Sequence, residues 1–217
     1  MAAYVQRRQG ESSMARDTQS IVKMSRREGY ALHPKAHKAL VKRATIPGQH
    51  GRNNRNKPSQ YALQLREKQK VKRLYGLLER QFSTLMKESS RSHGQSGSVL
   101  LQLLERRLDN AVYRAGFAPS RRAARQLVTH GHFVLNGRRV DIPSIRLKDG
   151  DEFVVREKSS ATEYFKKLED VSPAPSAIPA WLTVDRKKVK AKITGLPARD
   201  DAEPDINEQL IVEYYSR

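Results

Sequence analysis

The chain has no cysteine, which excludes disulfide cross-links, thiol nucleophiles and cysteine-ligated zinc, and suits a reducing compartment. Aromatic residues make up only 6% of the 217 residues, and hydrophobic residues only 37%. That is enough for one or two modest cores and too little for a large single one. No stretch approaches the roughly 20 apolar residues of a membrane span, and no secretory apolar segment is present. The chain reads as soluble, with no membrane partner. Catalysis also lacks footing: there is no phosphate-cradling glycine-rich loop, no nucleophile elbow and no strand-borne carboxylate pair. Asp149, Asp151 and Glu152, and Asp200, Asp201, Glu203 and Asp205, fall in turn-rich segments and read as solvated groups. His33 and His37 have a spacing that can hold zinc on a helix. Pro34 lies between them and no third ligand is near, so they read as surface histidines, and neither a metal nor a cofactor is expected.

What the chain has in excess is positive charge. Lys and Arg number 42 against 23 Asp and Glu, a net charge of +19. Solubility alone asks for a net charge of about 2–8 in a small domain, so a polyanionic partner is the physical explanation. The charge is uneven. Residues 1–98 hold 21 basic and 6 acidic residues (net +15), residues 99–158 hold 12 and 7 (net +5), and residues 159–217 hold 9 and 10 (net −1). A membrane surface would instead select a basic helix with a free apolar face. The partner is therefore expected to be RNA.

Residues 1–60 are basic and punctuated by Pro34, Pro47, Gly48, Gly51 and Pro58, with Asn53, Asn54 and Asn56 favouring turns. Irregular backbone is expected there, held largely by the partner. Val71, Leu74, Tyr75, Leu78, Phe82 and Leu85 draw one apolar stripe, which predicts a long helix over 61–88 with Gly76 in its middle. Leu101, Leu104, Leu108, Val112 and Ala115 predict a second helix from Val99 to Gly116. Ser120 is a good N-cap for a third, which buries Ala124, Leu127 and Val128 and ends near Gly131. HFVLNGRRVDI reads as a hairpin around Asn136-Gly137, followed by a strand over Asp151–Val155. Residues 171–180 read as a linker, and the alternation in DINEQLIVEYYSR predicts a short terminal strand. The fold class is α+β: two helices on a small antiparallel sheet, beside a mainly helical part and an irregular basic arm.

The candidate RNA-binding residues cluster in the middle of the chain. Arg121, Arg122 and Arg125 share one side of the helix capped by Ser120. Arg107, Asn110 and Arg114 line a face of the preceding helix, and Arg138 and Arg139 follow the hairpin turn. A guanidinium fits phosphate with a planar fork and stacks on bases, so convergence from two helices and a hairpin favours RNA contact over a merely solvated face. Arg121 and Arg122 are both expected to be solvated, so that their joint replacement weakens binding and leaves the fold intact. The first half of the 61–88 helix (Arg66, Lys68, Lys70, Lys72, Arg73) and the loop residues Arg52, Arg55 and Lys57 are further candidates.

IPGQHG (46–51), SQYALQLREKQKVKRLYGLLERQF (59–82), LLERRLDNAVYRAGFAPSRRAARQLVTHGHFVLNGRRVDIPS (103–144) and the terminal DINEQLIVEYYSR resemble, in that order, the bacterial-type family of small ribosomal subunit protein four. The resemblance implies a small RNA-binding domain over 99–174 inserted into a helical domain built from 51–98 and 175–217, behind a basic arm over 1–50. It implies a non-enzymatic constituent of the cytoplasmic ribosome, in a bacterial or organellar setting. Such a protein binds the five-way junction in the 5′ domain of small-subunit ribosomal RNA early in assembly. It would lie against small-subunit protein five, near the channel by which mRNA enters, and would influence decoding accuracy. It assigns Arg52, Arg55 and Lys57 to a loop facing mRNA and rRNA, and Arg66, Lys68, Lys70, Lys72 and Arg73 to an rRNA-facing helix. It assigns Arg107, Asp109, Asn110, Arg121, Arg122, Arg125, Gln126 and His130 to the domain signature.

Two features depart from that pattern. Many members carry four zinc-binding cysteines near the N-terminus; here Val22, Ser25, His33 and Lys38 occupy the matching positions. Lys and Arg contacts to RNA are expected to order this segment instead. Met14-Ala15-Arg16 resembles the usual family start, so residues 1–13 read either as an extension or as a question of the start site, without assigned function. The alternatives are an RNA-modifying enzyme, which would append the small domain to a catalytic one, and a stand-alone RNA-binding stress protein, which would leave residues 1–98 without a purpose.

Overall fold

The basic N-terminal segment, expected to be irregular, contains two short helices. The computed structural model describes residues 17, 19–51, 57–175 and 177–216, with α1 at Ile21–Glu28 and α2 at Pro34–Lys42. The turn between them is closed by the Ser25 hydroxyl, which accepts from the Leu32 amide at 3.3 Å. Pro34 takes the first turn of α2, where its missing N–H costs nothing. His33 caps that helix, its Nδ1 accepting from the Lys35 amide at 3.1 Å. Met24 and Leu32 are buried against Val71 and Leu74. This part of the arm is thus held by its own apolar packing, not only by the RNA contacts expected to order it.

The apolar stripe over 61–88 is carried by two helices, not one. Helix α3 (Gln60–Leu74) ends where Gly76 adopts φ +65°. The Leu77 amide then reaches back to the Lys72 carbonyl (2.9 Å) and the Gly76 amide to the Arg73 carbonyl (3.2 Å). This paired closure needs a left-handed residue that glycine adopts without a Cβ clash. Helix α4 (Glu79–Ser89) follows and buries Phe82, Leu85 and Met86.

The helix expected from Val99 to Gly116 is likewise divided, into α5 (Ser96–Glu105) and α6 (Leu108–Arg114). At the break the backbone pairs with a distant segment: Leu108 N–H donates to the Ile145 carbonyl (2.9 Å) and Leu147 N–H to the Arg106 carbonyl (2.8 Å). All five residues of the predicted stripe are buried, but they serve two cores. Leu101 and Leu104 join the helical core of α1, α3 and α4, whereas Leu108, Val112 and Ala115 join a second core under the sheet.

Helix α7 (Arg121–Thr129) begins at Ser120 as expected, the hydroxyl accepting from the Ala123 amide at 3.2 Å. Strands β1 (Phe133–Leu135) and β2 (Arg138–Val140) meet at Asn136 and Gly137, whose φ values of +48° and +80° make the tight hairpin turn the dipeptide predicts. Strand β3 (Glu152–Val155) pairs antiparallel with β1, and three one-turn helices follow: α8 (Glu157–Ser160), α9 (Glu163–Lys166) and α10 (Leu168–Val171). Beyond the linker, β4 (Leu182–Asp185) and β5 (Lys190–Ile193) extend the sheet to the order β2-β1-β3-β5-β4, antiparallel throughout. The sequence reading missed these strands and grouped residues 175–217 with the helical part. In the structure Trp181, Leu182, Val189, Ala191 and Ile193 pack in the core of the sheet. Phe133 and Phe153 lie edge to face at 6.2 Å in that core, as do Phe117 and Phe153.

The terminal segment forms helix α11 (Glu208–Tyr215), not the expected strand. Asn207 caps it, accepting from the Gln209 amide at 3.2 Å. Ile211 and Tyr215, one turn apart, face the helical core, where Phe82 meets Tyr215 at 6.2 Å. Among the described residues no helix is long and apolar enough to cross a membrane.

The break at Gly76 is testable. A residue within a continuous helix gains about 1 kcal/mol when Gly becomes Ala. At φ +65° the same change costs about 1 kcal/mol. Urea unfolding of Gly76→Ala is expected to show a lowered midpoint; a raised midpoint would mean one continuous helix.

Candidate nucleic-acid interface

The candidate residues fall into three groups by position. Arg52 and Arg55 lie outside the described residues, and Lys57 is exposed just before α3. The α3 cations are already engaged. Arg66 (3.2 Å) and Arg73 both contact the Glu28 carboxylate from α1. Burial pushes that carboxyl up, and the two arginines, with Arg27, only partly oppose the shift. Lys68 is buried under the Tyr214 ring at 4.4 Å and, with Lys72 (3.0 Å), holds Glu79 at 2.7 Å. Burial would raise the Glu79 carboxyl, but bonds from Lys68, Lys72 and Tyr215 outweigh it and bring it down to about 2. Lys70 pairs with Glu67 (2.8 Å) and donates to the Asp205 carbonyl (2.6 Å). The helix expected to face rRNA therefore uses much of its charge to hold α1, α4 and α11 in place.

The second group is internal. Glu105, the last residue of α5, is fully buried. It accepts from the Tyr75 hydroxyl (2.5 Å), Asn110 Nδ2 (2.7 Å), and Arg114 Nε and Nη2 (3.0 and 2.9 Å). Burial alone would raise this carboxyl; the Arg114 bonds and charge, helped by Arg121 and Tyr75, hold it below its ordinary value. Arg121 donates to Asn110 Oδ1 (2.9 Å) and to Glu203 (2.9 Å), with its guanidinium between the Tyr75 and Tyr113 rings at 5.0 and 4.6 Å. Arg107 forks onto Asp109 (3.0 and 2.7 Å). Arg121 is thus not the solvated residue that the sequence suggested: it is built into the joint between the two cores.

The third group faces outward. Arg122, Gln126 and His130 are exposed along α7, and Arg138 and Arg139 are exposed on β2. Arg125 is half-buried and reaches Asp109 at 3.0 Å. Arg122 also lies near His33, whose ring burial and the charges of Lys35 and Arg122 keep neutral-leaning. A small cleft of about 30 Å³ lies between the arm and α7, bordered by His33, Arg73, Asp109, Arg121, Arg122 and Arg125. Arg122, Arg138 and Arg139 form no ion pair with any described residue. Among the described residues no group of His, Asp and Glu could hold a metal ion.

The sequence reading missed Tyr75, Glu105 and Glu203 as organising residues. They come together from positions 30 to 128 residues apart, and no local pattern marks such a meeting. It also passed over Arg186, Lys187, Lys188, Lys190 and Lys192, whose charge is masked by the acidic residues around them in the chain. The alternation Val189, Ala191, Ile193 with lysines between was the available signal.

Two family models match the chain: "Ribosomal protein S4/S9 N-terminal domain" over residues 16–105 and "S4 domain" over residues 106–153. Among similar proteins are the small ribosomal subunit protein uS4 of Chlorobaculum tepidum, 50% identical over 208 residues, and that of Chlorobium luteolum, 51% identical over 205 residues. Each comparison covers 94% of this chain and 100% of the relative.

Adjacent arginines give the test of this division. Arg121→Ala leaves Glu203 and Asn110 without their partner in a buried setting and is expected to cost about 3 kcal/mol of stability. Arg122→Ala is expected to stay within about 0.5 kcal/mol of the parent, as exposed positions do. Equal small losses in denaturant unfolding would return Arg121 to the surface group.

Proposed function

The chain belongs to the small-subunit ribosomal protein S4 family, and on that footing we propose which of its surfaces carries the RNA. It is a structural, non-catalytic constituent of the small ribosomal subunit that binds ribosomal RNA. The α7 face carrying Arg122, Arg125, Gln126 and His130 supplies direct contacts, together with Arg138 and Arg139 on β2 and with Arg52, Arg55 and Lys57. One observation supports this reading above others: whereas Arg107, Arg114, Arg121 and Arg146 are bound to carboxylates, Arg122, Arg138 and Arg139 face solvent without an ion pair to any described residue. Their guanidinium forks match phosphate oxygens, and recognition goes through phosphates and 2′-hydroxyls more than base edges.

The RNA segment we propose is the five-way junction of the 5′ domain, engaged early in assembly of a bacterial cytoplasmic ribosome. Arg107, Asn110, Arg114 and Arg121 support this contact by holding α6 and α7 in place. Small-subunit protein five as a neighbour, the mouth of the mRNA channel near Arg52, Arg55 and Lys57, and an effect on decoding accuracy complete the proposal. We also propose a domain division that follows the two cores. The helical unit comprises the arm, α3, α4, α5 and α11, and the RNA-binding unit runs from α6 through β5.

Equilibrium binding to the isolated 5′ domain of small-subunit rRNA, against bulk tRNA, tests this across a salt series. About ten phosphate contacts predict a slope of log affinity on log salt of about −7 to −9, and each exposed arginine replaced by alanine removes about 0.7–0.9 from it. Equal affinity for both RNAs, or a slope shallower than about −3, would reduce the chain to a generic basic binder.

A further inference from the structure

Among the described residues, the buried side chains of the sheet all lie on one of its faces. Phe133, Phe153, Val155, Leu182, Ala191 and Ile193 point into the core beneath α6 and α7. The register puts Val134 beside Arg139 and Val154, Val154 beside Lys190, and Lys192 between Glu152 and Thr183 on the opposite face. Those residues are exposed or half-buried. The open face therefore has two half-buried valines at its centre, Arg139 on one margin, and Lys190 and Lys192 toward the other. Lys187 and Lys188 are exposed in the adjoining turn.

Two ordinary explanations for these lysines do not fit. Lysines often protect sheet edges from pairing with other chains. Here Lys190 and Lys192 lie on β5, an interior strand, and Lys187 and Lys188 in the turn before it, while the edge strand β4 carries Thr183 and Asp185 on this face. A balanced solvated face would pair them with carboxylates, since like charges so close oppose one another. Among the described residues only Lys190 of these has a carboxylate partner, Glu152 at 2.8 Å, and the Asp185 carboxylate is turned onto the amides of Lys187 and Lys188 at 3.1 and 3.2 Å.

The turn is also held in a fixed shape. Arg186 points inward, donating to the carbonyls of Gly116 (2.9 Å) and Ser172 (2.6 Å). Val189 is buried with φ +46°, a left-handed conformation that a β-branched residue adopts only when its surroundings impose it. With Arg186 and Val189 anchored on either side, Lys187 and Lys188 stand outward.

We infer that this open sheet face and its lysine turn form a second RNA contact, distinct from the α7 face, that docks a helical segment of the same ribosomal RNA. The inference rests on the rRNA reading above. The face of a five-stranded sheet is a broad platform, which suits the wide, shallow minor groove of A-form RNA and cannot enter the deep, narrow major groove. The margins from Arg139 to Lys190 span three inter-strand steps, about 14 Å, with cations placed for phosphates and the valines between them for the ribose edge.

The absence of native cysteine makes the test clean. Lys188→Cys, in the full chain bound to small-subunit rRNA, carries a tethered hydroxyl-radical source, and Gln126→Cys carries the same source on the α7 face. Cleavage from position 188 is expected in an RNA segment separate from that cut from position 126. In parallel, Lys187→Ala with Lys188→Ala and Lys192→Ala is expected to lower rRNA affinity at least about 10-fold and flatten the salt slope by about 2–3, with an unchanged thermal melt. No cleavage from position 188 while position 126 cuts, or cleavage of the same nucleotides from both, would overturn the inference. An unmodified chain that shows no preference for rRNA over tRNA would overturn the ribosomal reading, and this inference with it.

Discussion

A single buried carboxylate fixes the geometry of this protein. Glu105 closes α5, where the helical core ends, and gathers Tyr75 from beyond α3, and Asn110 and Arg114 from α6. Arg121 adds α7 to the same cluster through Asn110 and carries it on to Glu203, just before α11. A buried ion pair of this kind seldom stabilises more than an apolar replacement would, yet losing one partner costs about 3–5 kcal/mol. Its physical value lies in direction: each donor must meet its acceptor at one distance and angle, so the two cores have one mutual arrangement. Outside this cluster the same joint is reinforced by Glu88, whose carboxylate takes the Arg146 fork, including a 2.6 Å bond.

Positive charge consequently has two fates. Arg107, Arg114, Arg121, Arg66, Arg73 and Lys68 are matched to carboxylates and spend their charge inside the protein. Arg122, Arg138, Arg139 and the lysines of the β4–β5 turn stay unmatched by any carboxylate among the described residues and lie at the surface. A net charge of +19 therefore understates how sharply the surface differs from the interior. The internal arginines position the external ones, so the RNA surface proposed on α7 is only as well defined as the joint beneath it. The proposed recognition of folded RNA by shape asks for this, since a platform of fixed form loses little conformational freedom when it docks.

Much of this was legible in the sequence, and what was not has physical reasons. The Ser120 cap, the Asn136-Gly137 hairpin and the apolar stripes depend on neighbours within a few residues, and each is found where its pattern put it. The breaks at Gly76 and Arg107 were not, because apolar periodicity continues through them: a glycine that tolerates a long helix also ends one, and the pairing of residues 106–108 with residues 145–147 is a tertiary fact. Ile211 and Tyr215 belong equally to a period of two and to a period near four, so packing on Phe82 decided for a helix. The arginines of α6 and α7 were legible as a cluster but not as two classes. A charged residue shows its partner only in three dimensions, and Glu105 and Glu203 lie far apart in the chain.

In the proposed complex some arginines are committed before RNA arrives and others only afterwards. Solvent exchange of the arginine Nε–H groups, followed by NMR in the free protein and with the 5′-domain RNA bound, reports on each guanidinium directly. Slow exchange is expected at Arg107, Arg114 and Arg121 in the free protein, little altered by RNA, and fast exchange at Arg122, Arg138 and Arg139 that slows on binding. Fast exchange at Arg114 and Arg121 in the free protein, slowing only when RNA is added, would contradict it and make the buried cluster a product of the complex.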